Sequence, residues 1–206
     1  MSDNQGGRFF VLSAPSGSGK STVKNLIVER RPELVYSVSF TTRALRLGEV
    51  DGRDYNFISV ACFKEMIKIG DFLEWAEVFG NFYGTGKLWV ETHLRAGCDV
   101  IADIDVAGGI SVRKIMPEAV FIFMVPPTIK ELHQRLKGRR TESNEEIAYR
   151  LKMAKIEISR SHTYDFLLVN DKLERTICDL EDIIENRRGL AIAETKSFWD
   201  TFFAGS

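Results

Sequence analysis

Cysteine is scarce: Cys62, Cys98 and Cys178 are the only three in 206 residues, far apart and with no C-x-x-C pair. That argues against a disulfide framework and reads as reduced thiols. His93, His133 and His162 lack metal-ligand spacing and read as surface or packing residues. No apolar stretch approaches the roughly 20 residues of a spanning helix. MSDNQGGRFF lacks the basic start and long apolar run of a secretory leader. Excess charge is missing too: 28 Lys+Arg against 29 Asp+Glu leave a net charge of -1. No global field draws the chain to nucleic acid or membrane, so any anion must be held by a local site. There is no internal repeat or low-complexity tract. These absences predict a cytoplasmic protein with no nucleic-acid or membrane partner.

What is present is a chain that is 44% hydrophobic, long enough to bury a sizeable core as one domain with or without inserted subdomains. RFFVLSA, DVIADID, AVFIFMV and YDFLLV read as buried strands of the main sheet. Helical spacing follows Lys20 (Val23, Leu26, Ile27). It recurs at Leu88 to Arg95, Ile129/Leu132/Leu136, Ile147/Leu151/Ala154/Ile158 and Ile177/Leu180/Ile184. Buried strands alternating with helices predict an α/β fold with a parallel sheet covered on both faces. Residues 36–85 differ: YSVSFT, YNFIS and FLEWAEV are short, aromatic and separated by turn residues, with a short helix at 61–69. They read as a compact α+β insertion. In the tail, SFWDTFF is aromatic enough to dock on its own domain, a loose end being the alternative.

SAPSGSGKST, between the first strand and the first helix, carries the phosphate-loop pattern with Ala14 where the first glycine is usual. Such a loop works through backbone N–H groups converging at a helix N-terminus. Gly17 and Gly19 cover the positions where the chain must turn, and Ala14 sits where the strand exits. Lys20 would meet the β/γ-phosphates and Ser21 would offer a hydroxyl to Mg²⁺. The pattern and its strand–helix context predict a protein that handles a nucleoside triphosphate.

In the insertion, Arg43 and Arg46 could fork onto one phosphate, with Tyr55 as a further donor. Glu74 in FLEWAEV and the hydroxyls of Tyr83-Gly84-Thr85 suit guanine, whose N1 and N2 donate while O6 accepts; adenine reverses the polarity at position six.

Taken together, these motifs resemble the guanylate kinases, ATP:GMP phosphotransferases of the nucleoside monophosphate kinase type. The resemblance runs from about Phe9 to Arg187. It rests on APSGSGKST, the T-T-R-x-x-R-x-G-E-x-x-G-x-D-Y segment from Thr41 to Tyr55, Glu74-Trp75, Tyr83 to Thr85, Asp103 to Asp105, Arg135 to Arg139, and Val169 to Asp171. It implies a phosphate-loop core of residues 1–35 and 96–188, with a lid at about 135–150. Residues 36–95 would be the inserted GMP-binding region, and 189–206 a tail of unknown role. Pro15, Ser16, Gly17, Ser18, Gly19, Lys20, Ser21, Thr22, Arg135, Arg139 and Asn170 would hold ATP, the co-substrate. Ser39, Arg43, Arg46, Tyr55, Glu74, Tyr83, Gly84, Thr85, Asp103, Asp105 and Arg150 would hold GMP or dGMP. Lys20, Arg43, Arg139 and Arg150 would carry the transfer. Mg²⁺ would sit at Ser21, with Asp103 ordering its waters.

Four positions depart from the family pattern: Leu45 where proline is usual, Phe40 where a small or polar residue is common, Ala107 in place of glutamine, and Arg140 in place of glycine. Transfer needs no general base, because an acceptor phosphate with a second pKa of about 6 is already largely dianionic. It needs two polyanions brought together, which predicts closure of the insertion over GMP and of the lid over ATP. A scaffold module that binds protein through a former GMP site, and a kinase for another acceptor, are the rival readings. The first would have a degraded phosphate loop; the second would lack Glu74 with Thr85. Monomer and homodimer are both open.

Overall fold

A computed structural model describes residues 6–78, 80–138, 144–186 and 188–204. The chain runs β1 (Phe9–Ser13), α1 (Lys20–Arg30), β2 (Val35–Tyr36), β3 (Phe40–Thr41), β4 (Asn56–Phe57), α2 (Val60–Ile69), β5 (Phe72–Val78) and β6 (Asn81–Gly86). It continues through α3 (Lys87–Arg95), β7 (Val100–Asp103), α4 (Val106–Ile115), β8 (Val120–Val125), α5 (Ile129–Lys137) and α6 (Asn144–Ser159). β9 (Phe166–Val169), α7 (Leu173–Asn186), β10 (Leu190–Ala191) and α8 (Lys196–Phe203) complete it. One sheet has the strand order β10-β9-β8-β1-β7-β2, and a second has the order β4-β3-β6-β5. The runs FFVLS and VFIFMV are buried at every residue, as strands covered on both faces must be. Among the described residues no helix is long and apolar enough to cross a membrane.

The chain forms two compact units, Met1–Val11 with Pro32–Ala119 and Leu12–Arg31 with Val120–Ser206. In the first, β2 pairs in parallel with β7. The β5–β6 hairpin turns at Gly80, whose φ of +75° suits glycine. α2 starts at a Ser59 cap that accepts from the Cys62 amide, and its fully buried Phe63 stacks on Phe72 at 4.4 Å. Residues 36–41 read from sequence as one strand, but the structure divides them. Ser37 N still bonds Ile101 O, whereas Ser39 O accepts from Asn56 N, so the chain changes sheets within three residues. α4 was not anticipated either. Gly108 and Gly109 weaken its helical signal, and Asp105 supplies the start by accepting from Gly108 N at 2.7 Å.

In the second unit β8 and β9 are parallel, and the two-residue β10 adds antiparallel to β9. α5 opens on T-I-K-E: Thr128 Oγ1 accepts from Glu131 N at 3.1 Å, as in the first half of a capping box. α7 buries Ile177, Leu180, Ile183 and Ile184 at the predicted helical spacing. The tail is anchored. Ile192 N bonds Asp165 O, Thr195 is buried, and Phe202 of α8 is fully buried among Phe198, Trp199 and Phe203. Phe202→Ala should therefore cost about 3–5 kcal/mol of unfolding free energy in urea titration. A change near zero would show a tail that contributes nothing to the fold.

Candidate active site

Every predicted donor-side residue within the described part belongs to the second unit. β1 ends at Ser13, and the loop that follows turns through Gly17 and Gly19, with φ of +89° and +88°. Side chains would be strained at both. Space forbids them as well: a Cβ at Gly17 would lie 2.9 Å from Leu136 Cδ2, and one at Gly19 would lie 2.6 Å from Asn170 Nδ2. Gly19 is the N-cap of α1 and carries no side-chain cap; its carbonyl accepts from the Thr22 and Val23 amides at 3.1 and 3.2 Å. Ala14 is accommodated outside the two left-handed positions. Lys20 is half-buried, and Ser21 and Thr22 are exposed at the start of the helix. Ser18 N bonds Pro15 O at 3.2 Å across the loop.

Three predicted site residues grip this loop. Arg135, steadied by Glu131 at 3.0 Å, reaches Ser18 O at 3.4 Å and Asn170 O at 3.0 Å. Arg150 of α6 donates from Nη1 to Ser16 Oγ at 2.8 Å. Asn170 Nδ2 donates to Ser18 O at 2.7 Å. Arg139, and Arg140 beside it, lie outside the described residues.

The predicted acceptor-side residues all lie in the first unit, Arg150 apart. Glu74 and Thr85 are cross-strand partners in the β5–β6 hairpin, reached through a register shift between Phe72 and Glu74. The buried Thr85 hydroxyl donates to Glu74 Oε1 at 2.6 Å. The other oxygen faces α4: a Cβ on Gly108 would lie 2.4 Å from Glu74 Oε2. Asp105 is therefore the cap that sets Gly108 against this carboxylate. Ser39 is buried just ahead of β3, and Gly84 pairs with Phe40.

Arg43 donates both terminal nitrogens to Glu49, at 2.9 and 2.8 Å, and stands 5.4 Å from the Tyr55 ring centre and 5.6 Å from that of Phe57. Glu49 also accepts from Arg46 N at 2.8 Å, while its own amide bonds Arg46 O. Glu49 thus closes the turn that proline usually pre-sets at position 45, and Leu45 is left exposed. The Arg43 guanidinium holds the Glu49 carboxyl below its ordinary range, and Glu49 raises the Arg43 pKa in return. Tyr55 packs edge-on to Tyr83 at 5.9 Å. Burial, then the Asp103 charge, push its pKa up to about 12, so it stays a neutral donor at physiological pH. Tyr36 is pushed up by burial and by Asp103, to which its hydroxyl bonds. Phe40 packs edge-on against Phe72 at 5.8 Å, and Ala107 is exposed on α4.

Glu49, Gly108 and Tyr36 were missed as contributors. Only Glu49 left a trace in sequence, as the acid of R-x-x-R-x-G-E; the other two act across distances that spacing does not encode.

The first-strand, glycine-loop, helix arrangement with Lys20 places the chain in the phosphate-loop class of nucleotide-handling proteins. The family model described as Guanylate kinase matches residues 6–187. A guanylate kinase of Chromobacterium violaceum is 42% identical over 196 residues, 95% of this chain and 93% of that one. Another, of Shewanella denitrificans, is 47% identical over 183 residues, 88% of each. The crystal structure of guanylate kinase from Anaplasma phagocytophilum superposes with a TM-score of 0.74 at 35% identity, covering 89% of this chain and 87% of that one. The chain belongs to the guanylate kinase family. It is a kinase whose activity is ATP-dependent phosphorylation of GMP.

Gly108→Ala tests the packing around Glu74. The new Cβ would also lie 2.7 Å from the buried Ile104 Cγ2, so overpacking should cost about 1–3 kcal/mol of stability. The added methyl must displace the carboxylate, and KM for GMP should rise about tenfold or more with KM for ATP unchanged. An unaltered KM for GMP would show that Glu74 needs no clearance at α4.

Proposed function

We propose the following division of labour for the family reaction. The second unit holds ATP: the 15–22 loop wraps the phosphates, Lys20 neutralises the β/γ-oxygens, and Arg135, Arg139 and Arg150 act from the lid region at 135–150. The first unit holds the acceptor: Glu74, Thr85, Ser39 and Asp105 take the guanine. Arg43, Arg46, Tyr55 and Tyr83 take its phosphate, with Gly84 giving close backbone approach. dGMP is an acceptor beside GMP. The observation that carries the reading is the buried Glu74–Thr85 pair, an ordered acceptor flanked by a hydroxyl, on the same unit as the Arg43–Tyr55–Tyr83 cluster.

The Ser21 hydroxyl, exposed at the start of α1, is an oxygen suited to Mg²⁺. Among the described residues no group of three His, Cys, Asp or Glu could cage a metal. Mg²⁺ is commonly held by substrate phosphates, waters and one or two protein oxygens instead. The Ser21 hydroxyl would bind it; when bound, the ion offsets phosphate charge. Lys20 and the arginines lower the repulsion between two polyanions and hold them in line, which is most of the catalysis a loose phosphoryl transition state requires. No side chain has to remove a proton. Closure of the 36–95 region over GMP and of the lid over ATP would exclude water. The enzyme works in the cytoplasm, as a monomer or homodimer, on small-molecule substrates.

The test is ADP formation with ATP, Mg²⁺ and a panel of GMP, dGMP, AMP, UMP, CMP and dTMP. Turnover should be confined to GMP and dGMP. Lys20→Ala should lower kcat by orders of magnitude with the fold intact. Turnover with AMP or a pyrimidine nucleotide equal to that with GMP, or a fully active Lys20→Ala enzyme, would overturn the assignment.

A further inference from the structure

In the family resemblance Asn170 lies near the adenine, yet its amide is engaged elsewhere. The residue is 7% exposed. Its Nδ2 donates to Ser18 O at 2.7 Å, and it stands where a Cβ on Gly19 would be. Its Oδ1 is 3.2 Å from the hydroxyl of the fully buried Thr176, which also lies within reach of Val169 O and Lys172 O. Arg135 adds a second grip, on Ser18 O and on the Asn170 carbonyl. Two side chains distant in sequence therefore converge on one carbonyl of the phosphate loop.

A trans peptide is planar, with its C=O and N–H pointing in opposite directions. Pinning Ser18 O thus also aims the Gly19 N–H. Gly19, at φ +88°, has no side chain to hold that peptide in place and is among the residues most costly to order. An unpinned Ser18–Gly19 peptide is free to rotate and turn a carbonyl toward the phosphates.

Resting on the reading of 15–22 as the ATP phosphate loop, we infer that Asn170 is a positioning residue for phosphate binding: it holds the Ser18–Gly19 peptide in the anion-binding orientation and does not select the adenine base. Asn170→Ala is compared with the unaltered enzyme using ATP and inorganic tripolyphosphate, the latter as a competitive inhibitor against ATP. Affinity for both should fall by the same factor, about tenfold, the order of one lost hydrogen bond. kcat/KM with ATP, GTP and UTP as donors should fall in parallel, with KM for GMP unchanged. Asn170→Ser keeps a polar group too short to reach Ser18 and should behave like alanine; it serves if the alanine variant does not fold. A loss confined to ATP, with tripolyphosphate and the other donors unaffected, would assign Asn170 to the base and overturn the inference. Unchanged affinity for everything would overturn it too. Failure of the unaltered enzyme to bind ATP would instead defeat the underlying reading of the loop.

Discussion

The Ser18–Gly19 peptide is the constraint on which the donor side depends. Phosphate loops bind anions with backbone rather than side chains, so their chemistry is only as good as the orientation of a few peptide planes. Here two left-handed glycines allow the turn but do not enforce it. Enforcement comes from outside the loop. Leu136 crowds Gly17, Asn170 crowds Gly19, and Asn170 with Arg135 fixes the carbonyl between them. The apolar strands β1, β8 and β9 matter to function chiefly because they carry these groups to their places.

The acceptor side solves a different problem with the same economy. A buried carboxylate must stay ordered before a base arrives. The β5–β6 register brings Thr85 to one oxygen of Glu74, and the side-chain-free face of α4 leaves room at the other. As a proposed phosphate ligand, Arg43 must likewise be held before its phosphate arrives. Glu49 takes both ends of its guanidinium, and the aromatic rings of Tyr55 and Phe57 flank it. On the proposed reading a dianionic phosphate would offer this arginine more charge than one carboxylate does, and Glu49 would hold the side chain in a usable pose until then.

Local features were legible in the sequence. The phosphate loop, the helix spacing of α5 and α7, and the fully apolar strands all rest on patterns within ten or so residues, and the structure places them accordingly. Non-local features were not. The exchange of sheets between Tyr36 and Phe40 is decided by distant backbone groups: Ile101 O accepts from Ser37 N, and Asn56 N donates to Ser39 O. α4 was hidden because the two glycines that make it a poor helix by propensity are adjacent to the position where Glu74 needs clearance. β10 is held by pairing with β9 and α8 by a buried Phe202, contacts a linear reading cannot weigh. The site residues were named from motif, but the supports beneath them, Glu49, Gly108, Tyr36 and the Asn170 bond to Ser18, emerged only from the three-dimensional contacts.

The most direct test of the guanine reading compares GMP with inosine monophosphate, which differs only in lacking the 2-amino group. With the Glu74 carboxylate accepting from N1 and N2, kcat/KM should fall by about 10² or more for inosine monophosphate, because an acceptor built for two donors is left half-paired. Glu74→Gln should shrink that ratio. Equal kcat/KM for the two nucleotides in the unaltered enzyme would contradict the account, because the buried pair would then not be what selects the base.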